Sequence, residues 1–176
     1  MKSVFTQHNN ATRLILFFTG WGMDPEPFRE LRRDGYDVLV VYDYVIADGD
    51  VECLAAKLEG YAEIVVVAWS FGVFFANLIL KGRGLPVSAA IAVNGTLYPV
   101  DDRRGIPHRV FALTLRTLSE KSVKFFNQRM CGPLYDTFAA NAPQRDIESL
   151  RKELEVFATS FPDIDREPDF WTRVIA

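Results

Sequence analysis

From Ile64 to Leu80 the chain runs 17 residues without a charge, and few architectures can absorb such a stretch. A membrane span is one, since about 17 apolar residues is the lower limit for crossing a bilayer. A buried strand followed by a buried helix is the other. The run opens on β-branched Ile64, Val65, Val66 and Val67 and breaks at Ser70 and Gly72. It then passes Asn77 in a helical rhythm closed by Lys81 and Gly82. That internal break favours strand, turn and helix over a single span.

The flanking sequence repeats the same alternation. A short strand over residues 3–5 leads across polar His8, Asn9 and Asn10, as in a hairpin, into residues 13–18, whose continuous apolar character suits a strand covered on both faces. A helix is expected over residues 25–33, ended by Gly35, and a second buried strand over 36–42. Asp50 can cap a helix over 51–58 that stops at Gly60. A strand over 63–68, a helix over 71–81 and a strand over 87–93 follow. Crossovers too long for hairpins predict an α/β fold, a mostly parallel sheet with helices on both faces.

From Tyr98 the texture changes. Residues 110–118, 122–130 and 145–161 all read as helices before a last strand at 171–175. Three helices in succession exceed what one crossover needs, which favours a helical lid inserted over the sheet; ordinary crossover helices are the alternative. The expected division is a core over 1–97, a lid over 98–169 and the start of a further core strand over 170–176.

Composition narrows the function classes. The 176 residues suit one domain, and 49% hydrophobic with 24% charged residues can bury a core, which excludes collagen, disorder and a disulfide scaffold. Cys53 and Cys131 stand alone, in no CxxC pair, so neither a disulfide framework nor a zinc site is expected. Reduced thiols, and an amino terminus that turns polar before any signal-length apolar core, point to the cytoplasm. A net charge of -3 argues against a protein that coats nucleic acid or an anionic membrane.

Two turns can carry chemistry. In Ala68-Trp69-Ser70-Phe71-Gly72 a serine stands between an apolar strand and a helix, with small residues two positions to either side. A nucleophile elbow needs this, since strand and helix must approach closely while Oγ stays exposed. A helix-capping serine is the plainer alternative. Thr19-Gly20-Trp21-Gly22 puts two glycines after an earlier strand, where a backbone N–H can face a developing oxyanion; a glycine-rich turn is the alternative. Nucleotide binding is excluded here, because there is no GxGxxG or Walker lysine and Trp21 blocks close backbone approach. No cofactor or metal is expected.

The sequence resembles the BioG-type pimeloyl-acyl-carrier-protein methyl ester esterases of biotin synthesis, a branch of the α/β-hydrolases. The resemblance is carried by Phe18-Thr19-Gly20-Trp21-Gly22, Val41-Tyr42-Asp43-Tyr44, Val67-Ala68-Trp69-Ser70-Phe71-Gly72-Val73 and Ala92-Val93-Asn94-Gly95-Thr96, with Gly105-Ile106-Pro107 and Arg129-Met130-Cys131-Gly132 further on. It implies a serine esterase with Ser70 as nucleophile and the Trp21 and Phe71 N–H groups as oxyanion hole. The elbow departs from the usual pattern in having Ala68 for the first glycine.

A general base is the missing element. His8 precedes the sheet and His108 opens the lid, so neither occupies the place after the last strand where the resemblance puts the histidine. That histidine is expected in a continuation beyond Ala176. For the acid, Glu148 is the candidate, with Asp146 second; an Asp beyond Ala176 and a solvated helix face beside Arg151 and Lys152 are the alternatives.

Charge adds an independent argument. Between Arg103 and Pro133 seven basic residues face the single acid Glu120, a local balance of +6. Arg116, Lys121, Lys124 and Arg129 are therefore the expected contacts for an acidic partner, which the resemblance names as acyl carrier protein. Phe125 and Gln128 are the expected substrate contacts; Phe111, Phe125 and Phe126 either pack as core or line an acyl tunnel. A thioesterase acting on the same carrier, or a binding module without a working triad, would fit the same features.

Overall fold

A computed structural model of the chain describes residues 1–160, 167 and 170–175. Among the described residues six strands form one sheet: β1 (Lys2–Gln7), β2 (Arg13–Phe18), β3 (Asp37–Tyr42), β4 (Glu63–Trp69), β5 (Val87–Val93) and β6 (Arg173–Ile175). Their spatial order is β1-β3-β2-β4-β5-β6. Strands β2 to β6 run parallel, and β1 alone is antiparallel.

The expected hairpin between β1 and β2 does not form. Strand β1 pairs with β3 instead, and β2 lies between β3 and β4. The reason lies in the two sequences. Arg13–Phe18 is apolar at nearly every position and needs a neighbour on each side, whereas Lys2–Gln7 has only Val4 and Phe5 as apolar residues and tolerates an edge.

One face of the sheet carries Leu14, Leu16 and Phe18 of β2 with Val66 and Ala68 of β4. Helices α1 (Asp50–Leu58) and α2 (Phe71–Leu80) cover it through Leu54, Leu58, Phe74 and Phe75, all buried. Burying each phenylalanine ring is worth about 2 kcal/mol. The long uncharged run is thus β4 plus the 10-residue α2. Among the described residues no helix is long and apolar enough to cross a membrane.

The opposite face, with Phe17, Val38 and Val40, is covered by the chain around Phe28. The helix expected over 25–33 shortens there to a 3-10 turn at Glu26–Phe28. Pro27 lacks an N–H, and the following Arg29 to Gly35 segment offers only Leu31 as an apolar residue to bury. Asp50 does not cap α1 either. Gly49 stands at the cap position, and the Asp50 carboxylate accepts from the Ala47 N–H and from the Met1 ammonium.

Between β5 and β6 come α3 (His108–Arg116), α4 (Glu120–Cys131), a 3-10 turn (Gly132–Leu134), α5 (Tyr135–Ala139) and α6 (Ile147–Ser160). The short helix α5 is an addition to the three expected. Of the helix expected over 145–161, Phe161 lies outside the described residues, as does most of 161–169. Helix α4 has a capping box in which Ser119 and Ser122 each accept from the other's backbone N–H.

A buried carboxylate fixes the linker from β1 to β2. Asp37 accepts from the Asn9 N–H at 2.7 Å, the Ala11 N–H at 3.3 Å and the Tyr61 hydroxyl at 2.7 Å. Burial pushes its carboxyl up, but these donors together with His8 outweigh burial and hold it below the ordinary value. A depressed carboxyl stabilises the fold above its unfolded pKa and loses that contribution as pH falls through its folded one. We expect Asp37→Asn to cost about 2 kcal/mol at pH 7. In urea titrations the gap from wild type should close as the pH drops below about 4.

Candidate active site

Ser70 occupies the turn from β4 into α2 at φ 56, ψ -123, a conformation that L-residues rarely adopt. Its N–H donates to Val93 O at 3.0 Å and its carbonyl accepts from the Val73 N–H at 3.1 Å. The side chain makes no capping bond, so the helix-cap reading fails and Oγ stays available at the partly exposed turn. Glycines make the turn feasible. A Cβ on Gly72 would stand 2.4 Å from Phe18 O and 2.5 Å from Thr19 O, and one on Gly95 would stand 2.5 Å from Ser70 O. The elbow therefore depends on backbone packed closer than any side chain allows.

The turn after β2 lies directly beside it. A Cβ on Gly20 would come within 3.3 Å of Ser70 Cβ. Phe71 is the first residue of α2, so its N–H has no acceptor within the helix. Among the described residues the Trp21 N–H donates to no backbone carbonyl. Trp21 and Phe71 both line the cavity above Ser70. Two N–H groups without a backbone acceptor, on residues that line one cavity with an uncommitted serine hydroxyl, are the elements that an oxyanion hole requires.

That cavity measures about 540 Å³. The core supplies its floor through Gly20, Ser70 and Asn94; the helices above supply Val110 and Phe111 from α3, Phe126 and Met130 from α4, and Leu154 from α6. A cleft of about 260 Å³ between α3 and α4 adjoins it and shares Trp21, Thr114, Phe126 and Arg129. The walls are mostly apolar, which suits an extended acyl chain.

The expected contacts divide. Phe125 lines the adjoining cleft and is 55% exposed, while its neighbour Phe126 and Phe111 line the Ser70 cavity. Gln128 is half-buried, lines neither, and accepts the Gly132 N–H with its carbonyl. Arg116, Lys121 and Lys124 are exposed, and Arg129 stands exposed where cavity and cleft meet. Glu148 is exposed on the first turn of α6, outside the Ser70 cavity, as is Asp146, whose carboxylate accepts from the Ser149 N–H. His8 stacks on Phe5 and reaches Asp37; His108 is exposed beside Asp102; neither lines the cavity. Among the described residues no cluster could hold a metal ion.

Sequence reasoning missed three residues near the site. Asn94, at φ 43, directly follows β5 and lines the cavity. Arg145 and Glu153 form a buried ion pair at 2.6 Å. A signal for Glu153 was present: with Leu150, Leu154 and Phe157 marking the apolar face of α6, position 153 falls on that face, where an unpaired carboxylate would be costly.

The sequence model of the family described as pimeloyl-ACP methyl esterase BioG matches residues 1–175. A Bacteroides fragilis protein named malonyl-[acyl-carrier protein] O-methyltransferase is 39% identical over 163 residues, which is 92% of this chain and 32% of that protein. The chain thus spans about a third of that relative's length. The crystal structure of BioG from Haemophilus influenzae superposes with a TM-score of 0.82 at 33% identity, over 99% of this chain and 79% of that one. A lipase-esterase related protein from Clostridium acetobutylicum shares the fold, with a TM-score of 0.60 at 13% identity, over 87% of this chain and 69% of that one. The family model matched over residues 1–175 and the fold shared with BioG from Haemophilus influenzae over 99% of the chain place this protein in the BioG family, with an α/β-hydrolase-like fold.

Proposed function

We propose that this protein is a serine esterase that hydrolyses the methyl ester of a pimeloyl chain carried on acyl carrier protein, in biotin synthesis. The observation that carries the reading is Ser70 itself. It is held at a positive φ with its hydroxyl uncommitted, at the floor of an apolar cavity that Trp21 and Phe71 also line. Ser70 Oγ attacks the ester carbonyl carbon, and the two N–H groups take up the negative charge that develops on its oxygen. Collapse of the tetrahedral intermediate expels methanol and leaves an acyl-serine. Water then attacks the acyl carbon, releasing the free acid and restoring the hydroxyl. The proton leaves Ser70 for a general base, a role that the position of His8 and His108 does not support, since neither lines the cavity.

The acyl chain lies along the apolar wall formed by α3 and α4, and its carrier docks on the basic face of α4. Lys121, Lys124 and Gln128 recur at helical spacing on that face, and Lys121 lies over the Phe125 ring, 5.9 Å from its centroid. The family resemblance and the unpaired Cys53 and Cys131 support a cytoplasmic location. A carrier-binding module without turnover is the second reading, favoured only by the position of the two histidines.

A fluorophosphonate probe applied to native-length protein separates the two. Labelling that disappears in Ser70→Ala is the expected result, and an unlabelled wild type would leave the binding module. The backbone strain at Ser70 should also be measurable. Ser70→Gly removes the Cβ that disfavours φ 56, so we expect a gain of about 1 kcal/mol in unfolding free energy together with loss of esterase activity. For the carrier, the double variant Lys121→Glu/Lys124→Glu should raise KM for the carrier-bound ester about tenfold, with the difference narrowing as salt rises from 20 to about 300 mM.

A further inference from the structure

The loop that presents the Trp21 N–H is a tight turn, closed by the Met23 N–H donating to Gly20 O at 3.3 Å with Gly22 at φ 78, and the Thr19 N–H anchors its start to Val41 O at 3.0 Å. Three further ties hold this turn from outside. Tyr44, fully buried, donates its hydroxyl to Thr19 O at 2.7 Å. The Trp21 indole N–H donates to Leu150 O at 3.1 Å, and Asp24 accepts the Gln144 N–H at 2.7 Å. All but the first of these ties run directly to residues 144–150, and the first reaches α6 by one step more.

That step passes through a buried charge cluster. The Tyr44 N–H donates to Glu153 Oε1 at 3.1 Å, and Glu153 Oε2 takes Arg145 Nη1 at 2.6 Å. Arg145 Nη2 reaches Asp43 Oδ1 at 3.0 Å and Ser149 Oγ at 2.8 Å. Asp43 in turn pairs with Lys2 at 2.9 Å. Two cations and two carboxylates balance, with the Arg145 side chain 6% exposed and that of Glu153 1%. None of Tyr44, Arg145 and Glu153 lines the Ser70 cavity.

We infer that Arg145, Glu153 and Tyr44 are positioning residues for the oxyanion hole, holding the Trp21 N–H in place beside Ser70 through the Thr19–Asp24 loop. The inference rests on the esterase reading. An oxyanion donor acts chiefly in the transition state, so loosening its support lowers kcat and kcat/KM together and leaves KM alone. Loss of a whole oxyanion donor costs about 10²–10³ in kcat, and a donor that is displaced and not removed should cost about tenfold.

Tyr44→Phe is the decisive variant. It deletes one hydroxyl while keeping the ring stacked on Phe75 at 4.1 Å and the backbone N–H to Glu153. Arg145→Lys is the harsher companion, because one ammonium cannot serve Asp43, Glu153 and Ser149 at once. Native-length protein would be titrated with the fluorophosphonate, and kcat per titrated site and KM measured on a chromogenic short-chain ester. Tyr44→Phe is expected to lose about tenfold in kcat at unchanged KM, with its site content intact. Wild-type kcat per site in Tyr44→Phe, or a loss falling on KM alone, overturns the inference and leaves the esterase reading standing. A wild type that is neither labelled nor active overturns the reading and the inference with it. Because kcat is counted per titrated site, a fall in folded fraction, the outcome in Arg145→Lys if the cluster matters only for stability, does not mimic the expected result.

Discussion

The backbone of β2 and the amino end of α2 meet with no side chain between them, and the rest of the site follows from that approach. Gly72 faces the Phe18 and Thr19 carbonyls at a distance no Cβ could occupy. Because the helix can come so close, Ser70 turns out of the sheet at a positive φ and its neighbour Phe71 begins the helix with a free N–H. The same approach sets the loop after β2 against Ser70, with Gly20 as the second contact. The strained serine and the two N–H groups beside it thus derive from one steric event, whose cost in strain is met by the buried sheet and helix on either side.

Much of this could be read from the residues, and the failures have physical causes. The strands and helices from Arg13 to Val93 announce themselves because each buries a continuous or periodic apolar face, and that periodicity is local. Ser70 and Trp21 are legible for a related reason: the small residues around them are needed within a few positions. The pairing of β1 with β3 is not local, since it depends on which strand needs two neighbours. The helix expected over 25–33 stops at Phe28, which packs on Phe17, because Leu31, the one apolar residue in the segment that follows, stays 46% exposed and gives a longer helix no face to bury.

The acidic residues of α6 show the limit most plainly. Glu148 and Glu153 are five positions apart and chemically alike, yet one is exposed and the other is buried against Arg145 and the Tyr44 N–H. Burial pushes the Glu153 carboxyl up, and the Arg145 guanidinium pulls it part of the way back. Nothing within a helical turn distinguishes the two beyond the face on which each lies. The partners that decide the matter, Tyr44 and Asp43, come from more than a hundred residues earlier.

The place of β6 in the sheet has a kinetic consequence. Strand β6 pairs in parallel with β5, Ala92 opposite Val174, and everything from α3 to α6 lies in the chain between them. Closing that loop costs chain entropy that no nearby contact returns, so the edge can zip up only after the intervening helices have compacted. Strands β2 to β5, each within reach of its neighbours, can assemble first and present Ser70 before β6 arrives. On a ribosome this order coincides with the order of synthesis, and the nascent sheet exposes its β5 edge until some 80 further residues have emerged.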